Sequence, residues 1–171
     1  MIVLETERTI LRRLKPSDLD DLALLYADAE VRRYFPEGTL TREETREELD
    51  WFLDGHPDNP ALGLWATIRK SDGKFIGRCG LLPWTIEGQS EVEIAYMIGR
   101  RHWRQGFAGE CARGIVRYGF GTLGLERLIS LIDPLNEASK RTAMSAGLAF
   151  EREILLDDMR CQVFAIGKPA T

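Results

Sequence analysis

The chain has 171 residues, 44% of them hydrophobic, and its 23 Lys and Arg against 27 Asp and Glu give a net charge of −4. A domain of this length buries roughly 70% of its unfolded surface, so we predict one domain spanning residues 1–171, with no metal site. The acidic balance disfavours general nucleic-acid binding, and no segment approaches the roughly 20 apolar residues of a membrane helix, so neither partner is expected.

The N-terminus and the cysteines indicate a cytoplasmic protein. Glu5 interrupts the opening "MIVLETER" before a signal sequence could form. Cys79, Cys111 and Cys161 are odd in number and widely spaced, without a CxxC pair. We therefore expect reduced thiols in the core instead of disulfides or zinc ligands.

The first third of the chain predicts one strand and two helices. "TILRRL" has the composition of a strand. Ser17 with Asp20 resembles a capping box ahead of the helical pattern "LDDLALLYAD", and Thr41 with Glu44 repeats it ahead of "REETREELDWFL".

The rest of the chain alternates strands with helices. "LGLWATIR" and "FIGRCGLLPW" flank the turn "KSDGK" as a hairpin, and the strand "EVEIAYMIG" follows. Further along, the strand "LERLISLI" precedes a helix over about 136–146. A last pair of strands, "EREILL" and "RCQVFAIGK", is joined at Asp157 and Asp158. This order predicts an α/β or α+β domain with a mostly antiparallel sheet.

The stretch "RRHWRQGFAG" joins a strand to a helix and predicts an anion-binding site. Apolar residues recur at helical spacing from Phe107 to Phe120, so the helix begins near Gly106, and Glu110, Arg113 and Arg117 take its other face. Its first amides have no partner within the helix and carry the positive end of the helix dipole. Gly106 and Gly109 leave room for a phosphate beside the backbone. Three arginines precede the helix, Arg100, Arg101 and Arg104. Such charged forks suit phosphate oxygens, so we predict pyrophosphate binding, with a solvated basic turn as the alternative.

A second glycine pattern, "GFGTLG" at 119–124, matches GxGxxG. The dinucleotide-binding motif needs a strand before these glycines and a helix after them, and here the order is reversed. These glycines are more consistent with the end of a helix.

Two blocks, "EIAYMIGRRHWRQGFAGECARGIVRYGF" and "LERLISLIDPLNEASKRTAMSAGLAFERE", resemble the GNAT superfamily of acetyl-CoA-dependent N-acetyltransferases. The opening "LETERTILRRLKPSDLDDL" extends the resemblance over nearly the whole chain, toward the RimJ/RimL-like branch of ribosomal-protein N-terminal acetyltransferases. The family's loop Q/R-x-x-G-x-G/A reads "WRQGFA" here, with Trp103 in the Gln/Arg position and Ala108 at the end. The segment from Asn136 to Ser139 is similar to the family's Asn-x-x-Ser.

The resemblance implies a GNAT-like mixed, mostly antiparallel twisted sheet flanked by helices, whose splayed central strands bind acetyl-CoA, the acetyl donor. The acceptor it implies is a primary amine, first of all a protein N-terminal α-amino group, which attacks directly in a ternary complex. The backbone groups of Met97 and Ile98 would bind the pantetheine arm and polarise the thioester carbonyl. The predicted acetyl-CoA contacts are Met97, Ile98, Arg101, Arg104, Gln105, Gly106, Phe107, Ala108, Gly109 and Asn136.

The attacking amine must lose a proton, because its ordinary pKa is about 10.4 for lysine and about 7.7 to 8.0 for an α-amino group. Glu93, in the strand that leads to the glycine loop, is the predicted base, acting through water. Glu91 projects from the same strand face. A role as a solvated strand residue is the alternative for either glutamate.

The leaving thiolate needs a proton donor. Many family members use a tyrosine four residues before the glycine that ends the helix; with Gly147 as that glycine, the position holds Ala143. Ser139 is therefore the predicted catalytic hydroxyl, and Asn136 would hold the CoA arm. The alternatives are that Asn136 only caps its helix and that Ser139 faces water.

Three alternatives remain at this point. Cys111, near a helix start, could act as a nucleophile with a histidine, His56 and His102 being the two in the chain, although it lies on the apolar face. A non-catalytic acyl-CoA-binding module would keep the anion site without turnover. A small-molecule amine, such as an aminoglycoside, a polyamine or an amino acid, could be the acceptor, with the acidic "REETREELDW" bordering its channel. The oligomeric state is open, a homodimer included.

Overall fold

Eight strands form one sheet in the computed structural model, which describes all 171 residues. The strands are β1 Ile2–Glu5, β2 Thr9–Arg13, β3 Gly63–Arg69, β4 Phe75–Ile86, β5 Gln89–Ile98, β6 Arg127–Ile132, β7 Ala149–Leu156 and β8 Met159–Gly167. Their order is β1-β2-β3-β4-β5-β6-β8-β7, and every neighbouring pair is antiparallel except β5 and β6. The predicted mixed, mostly antiparallel architecture is confirmed.

Helices cover both faces of this sheet. They are α1 Leu19–Tyr26, α2 Arg42–Phe52, α3 Phe107–Gly121 and α4 Glu137–Ser145, with 3₁₀ turns at Pro16–Asp18 and Arg100–His102. None of the helices combines the length and apolar composition that crossing a bilayer would require. Alternate residues of β5 point to the two cores: Ile94 and Ile98 pack with α3 and α4, whereas Ala95 and Met97 pack with α1 and α2.

The two predicted capping boxes differ in outcome. Thr41 Oγ1 accepts from the amide of Glu44, and the Glu44 carboxylate accepts from the amide of Thr41, as predicted. The box of Ser17 with Asp20 is wrong, because the carboxylate of Asp18 instead accepts from the Lys15 amide at 2.9 Å and from Arg12 at 2.8 Å. Strand β1 was not predicted from the sequence.

The sheet opens between β5 and β6. β4 and β5 are paired along their length, whereas β5 and β6 share a single register position, Glu93 opposite Ile129. Just beyond it, Ser130 Oγ donates to the carbonyl of Ile94 at 3.2 Å. The last residues of β5 therefore border a gap that leads toward the start of α3. The predicted splayed central strands are confirmed.

Candidate functional site

The start of α3 presents a row of backbone N–H groups. Gly106 precedes the helix with φ +80°, and the amide of Glu110 makes the first helical hydrogen bond, to the Gly106 carbonyl at 3.0 Å. The amides of residues 105–109 donate to no protein atom. Arg104, with φ +59°, also has a left-handed backbone, which is costly for a residue other than glycine. This turn aims several free donors at one point, where an anion is stabilised.

Two side chains hold this loop in place. Trp103, at the position where the family has Gln or Arg, donates from Nε1 to the carbonyl of Ile98 at 2.7 Å. Arg8 donates to the Gln105 carbonyl at 2.9 Å, and its guanidinium lies 4.4 Å from the Phe107 ring centroid. Arg8 was missed, because nothing near it in the sequence indicates a contact with this loop.

Glu110 was assigned to the outer face of α3, but it turns inward. Its carboxylate accepts from Arg8 Nε at 2.7 Å and from Thr6 Oγ1 at 2.6 Å, and only 13% of the side chain is exposed. This ion pair fixes α3 to the connection between β1 and β2. The interpretation of Glu110 as a solvated residue is corrected on this ground.

The three arginines of the loop differ in their surroundings. Arg101 and Arg104 are exposed beside the free amides and form no ion pair, so both are available to an anion. Arg100 is paired with Asp28 at 3.2 Å. Gln105 is exposed, and its side chain donates to the Arg101 carbonyl at 3.2 Å.

Ala108 and Gly109 lie half-buried in the first turn of α3. A Cβ added to Gly109 would lie 2.9 Å from Ser145 Oγ, so this glycine permits the close approach of α4 as well as access for a phosphate.

The backbone of β5 presents different residues to the gap than predicted. The amide of Gly99 donates to Ile76 of β4 at 2.8 Å, and the Ile94 carbonyl faces β6. By alternation, Met97 faces β4, whereas Tyr96 and Ile98 face the gap. Met97 is therefore unsuited to bind a ligand through its backbone. The Ile98 carbonyl already accepts from Trp103, so its N–H is the group left for one.

Glu93 lies in the cleft with a perturbed acidity. Its Oε2 accepts from Trp84 Nε1 at 2.6 Å, and it forms no ion pair. Burial raises the pKa of Glu93 to about 7, although the hydrogen bond from Trp84 opposes this effect. Glu91, by contrast, is neutralised by Arg127 at 3.0 Å. The strand therefore carries one carboxyl poised to exchange a proton near neutral pH and one committed to an ion pair.

On the opposite face of β5, Tyr96 meets the start of α4. Its hydroxyl donates to the Ser139 carbonyl at 2.8 Å and lies 2.9 Å from Ser139 Oγ. Burial raises the pKa of Tyr96 to about 12, so it stays protonated at neutral pH. Ser139 thus does not simply face water.

Two other predicted positions belong to this helix and its cap: Asn136, and Ala143 in place of the tyrosine found in many family members. Asn136 Oδ1 accepts from the Ser139 amide at 3.1 Å, so Asn136 does cap α4. Ala143, at the position of the family tyrosine, is 1% exposed and packs in the core. A tyrosine hydroxyl from β5, that of Tyr96, nevertheless reaches the start of α4 at Ser139. Tyr96 was missed because the tyrosine was expected within the helix.

A cleft of about 810 Å³ joins these groups to α2 and the connection between α1 and α2. Glu93, Tyr96, Asn136 and Ser139 line it, so it brings the predicted base and the predicted hydroxyl together. The acidic segment of α2 borders the same cleft. The ionisable residues that line it are Arg32, Glu37, Glu44, Glu48, Arg78, Glu93, Asp133, Asp157 and Arg160.

Cys111 offers no competing nucleophile. Cys111 is 0% exposed, and its Sγ lies 3.6 Å from Thr9 Oγ1. The adjacent Cys79 thiol and burial raise the pKa of Cys111, which keeps it protonated. All three cysteines are unpaired thiols. Packing explains Cys111, and a pair with His102 has no support.

Comparison with known proteins identifies the family of this chain. The family described as "Acetyltransferase (GNAT) domain" matches residues 8–149. The uncharacterized protein YkkB of Bacillus subtilis is 37% identical over 152 residues, covering 88% of this chain and 87% of that protein. The uncharacterized N-acetyltransferase p20 of Bacillus licheniformis is 32% identical over 163 residues, covering 92% and 87%.

Solved structures share the fold. An acetyltransferase (GNAT family) from Bacillus anthracis has a TM-score of 0.83 at 22% identity, with 98% of each chain covered. Spermidine N-acetyltransferase from Vibrio cholerae, in complex with CoA and spermine, has a TM-score of 0.77 at 18% identity, with 94% of this chain and 95% of that chain covered. Together with the family match, these findings show that the chain belongs to the GNAT family and is an acyl-CoA-dependent N-acetyltransferase.

Proposed function

We propose that the protein transfers the acetyl group of acetyl-CoA to a primary amine by direct attack in a ternary complex. One observation carries the proposal: a carboxyl with a pKa of about 7 and a protonated tyrosine project from opposite faces of the same strand, where the sheet opens. The carboxylate would accept the proton of the attacking amine, and the tyrosine would donate a proton to the departing thiolate.

The residues around the gap suit acetyl-CoA. The free amides of 105–109, with Arg101 and Arg104 beside them, supply donors for the pyrophosphate. The N–H of Ile98 and the backbone of Tyr96 are available to the pantetheine arm. Asn136, at the start of α4, is the predicted contact further along the arm.

The chemistry follows from these positions. Glu93 accepts the amine proton, through water, while the amine nitrogen bonds to the thioester carbon. When the carbon–sulfur bond breaks, Tyr96 gives its proton to the sulfur. A water molecule then reprotonates Tyr96 through the adjacent Ser139 hydroxyl, which gives one proton and takes another. The predicted roles of Glu93 and Ser139 are retained, with Tyr96 added as the group that touches the thiolate.

We propose a protein N-terminal α-amino group as the acceptor, as in the RimJ/RimL-like branch. The pKa of an α-amino group, about 7.7 to 8.0, lies close to the pKa of about 7 of Glu93, so proton transfer between them is easy. The pKa of a lysine amine, about 10.4, lies much farther away. The complex of a structural neighbour with spermine suggests a polyamine as the second candidate.

An acceptor panel tests the proposal. N-terminal peptides, free amino acids, polyamines and aminoglycosides are incubated with acetyl-CoA, and release of the CoA thiol is followed together with the mass of the product. Peptides should gain one acetyl group at the N-terminus. If acetyl-CoA binds but no amine is acetylated, the protein is an acyl-CoA-binding module and the proposal is wrong.

A further inference from the structure

One arginine of the cleft is buried without an ionic partner. Arg78 of β4 is 5% exposed, and its Nε donates to Tyr26 Oη at 2.9 Å. It forms no ion pair, and its two terminal nitrogens donate to no protein atom. Because Arg78 lines the cleft, these nitrogens form a free, planar fork directed at whatever binds there.

A second buried guanidinium lies close by. Arg32 is 4% exposed and lies over the rings of Tyr26 and Phe35, at 5.2 and 4.5 Å. Its ionic partner, Glu37, is 3.6 Å away and 65% exposed. Arg78 lies over the same two rings, at 5.6 and 5.9 Å, so the two cations are neighbours. Burial and repulsion from Arg78 both lower the pKa of Arg32.

No carboxylate of the protein contacts Arg78 directly. Glu48 and Glu93 also line the cleft, but Glu48 accepts from Tyr26 Oη and Glu93 from Trp84 Nε1, and neither touches a guanidinium. A buried cation without a partner is costly, whereas a bidentate arginine–carboxylate pair is among the strongest polar contacts. Arg78 therefore lacks a direct anionic contact, which a bound carboxylate would supply.

We propose that Arg78, supported by Arg32, binds a carboxylate of the acceptor, so that the enzyme prefers peptides with an acidic residue next to the N-terminal amine. This inference rests on the proposed function, since it defines the acceptor of the same cleft. Two terminal nitrogens match the two oxygens of a carboxylate. A phosphate dianion suits the site less, because Glu48 is near.

The register of the sheet limits the distance between the two ends of the acceptor. Glu93 is opposite Leu82, and Arg78 lies four residues from Leu82 on the same face of β4. At about 3.3 Å per residue, the two backbone positions are roughly 13 Å apart. The side chains shorten this span, but a free α-amino acid carries both groups on one carbon and is too short. A carboxylate at the second residue of a peptide extends farther from the amine.

Matched peptides test the inference. Ala-Asp-Ala amide, Ala-Asn-Ala amide and Ala-phosphoSer-Ala amide are compared in two measurements. Calorimetry on the CoA-loaded protein gives each Kd, and steady-state kinetics with acetyl-CoA as donor gives each kcat/KM for acetyl transfer. The Asp peptide should bind at least about 10-fold more tightly than the Asn peptide, in line with a charge-assisted bidentate contact. Arg78→Lys should reduce this ratio to a few-fold and Arg78→Gln to about one.

Controls separate the outcomes. Arg160→Gln removes an exposed arginine of the same cleft and should leave the ratio unchanged. Arg32→Gln reports on the same pair if the Arg78 variants do not fold. A wild-type ratio near one, a ratio that survives in the folded Arg78 or Arg32 variants, or tighter binding of the phosphopeptide overturns the inference. Arg78-dependent binding of the Asp peptide without acetyl transfer leaves this inference standing and refutes the proposed function.

Discussion

Replacing Glu93 by Gln separates proton transfer from binding. Gln keeps the shape of the side chain but cannot accept the amine proton. Positioned general bases contribute about 10²- to 10⁴-fold, so kcat at pH 7 should fall by about that factor while the Kd for acetyl-CoA stays nearly constant. Thiol release with an N-terminal peptide, and calorimetry with acetyl-CoA, measure the two quantities.

The pH dependence follows from the raised pKa. Glu93 acts as a base only when ionised. With a pKa of about 7, its ionised fraction falls as pH drops through 7, so wild-type activity at pH 6 should be about a tenth of its value with Glu93 fully ionised. In Glu93→Gln this limb should vanish, and activity should follow the ionisation of the acceptor amine. The defect should therefore narrow as pH rises toward the acceptor's own pKa.

The same pKa predicts a stability effect that is independent of catalysis. The folded-state pKa of about 7 lies above the ordinary 4.5, so the wild-type protein loses stability as pH rises from about 4.5 to 7. At 1.36 kcal/mol per pKa unit, this loss amounts to as much as about 3 kcal/mol. Glu93→Gln should not show this loss. Denaturant unfolding at pH 5 and pH 8 should therefore show that the free energy of unfolding of the variant rises relative to that of the wild type at the higher pH.

Glu91→Gln is the matched control, since Glu91 lies on the same strand face but is paired with Arg127. It should reduce turnover far less. If the two variants behave alike, or if the Glu93 defect is the same at every pH, Glu93 is a positioning residue and another group takes the proton.

Three further changes probe the acetyl-CoA site. Gly106→Asp should weaken acetyl-CoA binding by calorimetry, because it places a carboxylate at the free amides; Gly88→Asp, at a similar φ of +78° in an open turn, controls for backbone strain and should bind normally. Arg104→Gln should raise the Kd for acetyl-CoA, by a factor that shrinks at high salt. Arg117→Gln, on the outer face of α3, should leave this Kd unchanged. If both variants raised the Kd equally, the attraction would come from the general positive charge of the region and not from a specific contact. Tyr96→Phe should lower kcat by roughly 10- to 100-fold with little change in acetyl-CoA affinity, within the range of acid catalysis; an unchanged kcat would mean that solvent protonates the thiolate.

Local rules in the sequence were enough to place the start of α3 and the face of β5 on which the proposed base lies. The start of α3 at Gly106 follows from helical spacing and from the unpaired amides of any helix start, both of which depend on residues a few positions apart. The twofold period of a strand likewise put Glu91 and Glu93 on one face. Resemblance to a family supplied the splay of β5 and β6, which no local pattern indicates.

Contacts between distant segments were decided only by the tertiary structure. Tyr96 and Ser139 are 43 residues apart, Arg78 and Tyr26 are 52 apart, and Arg8 and Glu110 are 102 apart. Each pair meets because of strand order and helix packing, which depend on how the whole core buries its apolar surface. The pKa of Glu93 has the same origin: a glutamate in a strand is ordinary in the sequence, and only the surrounding cleft makes its charge costly.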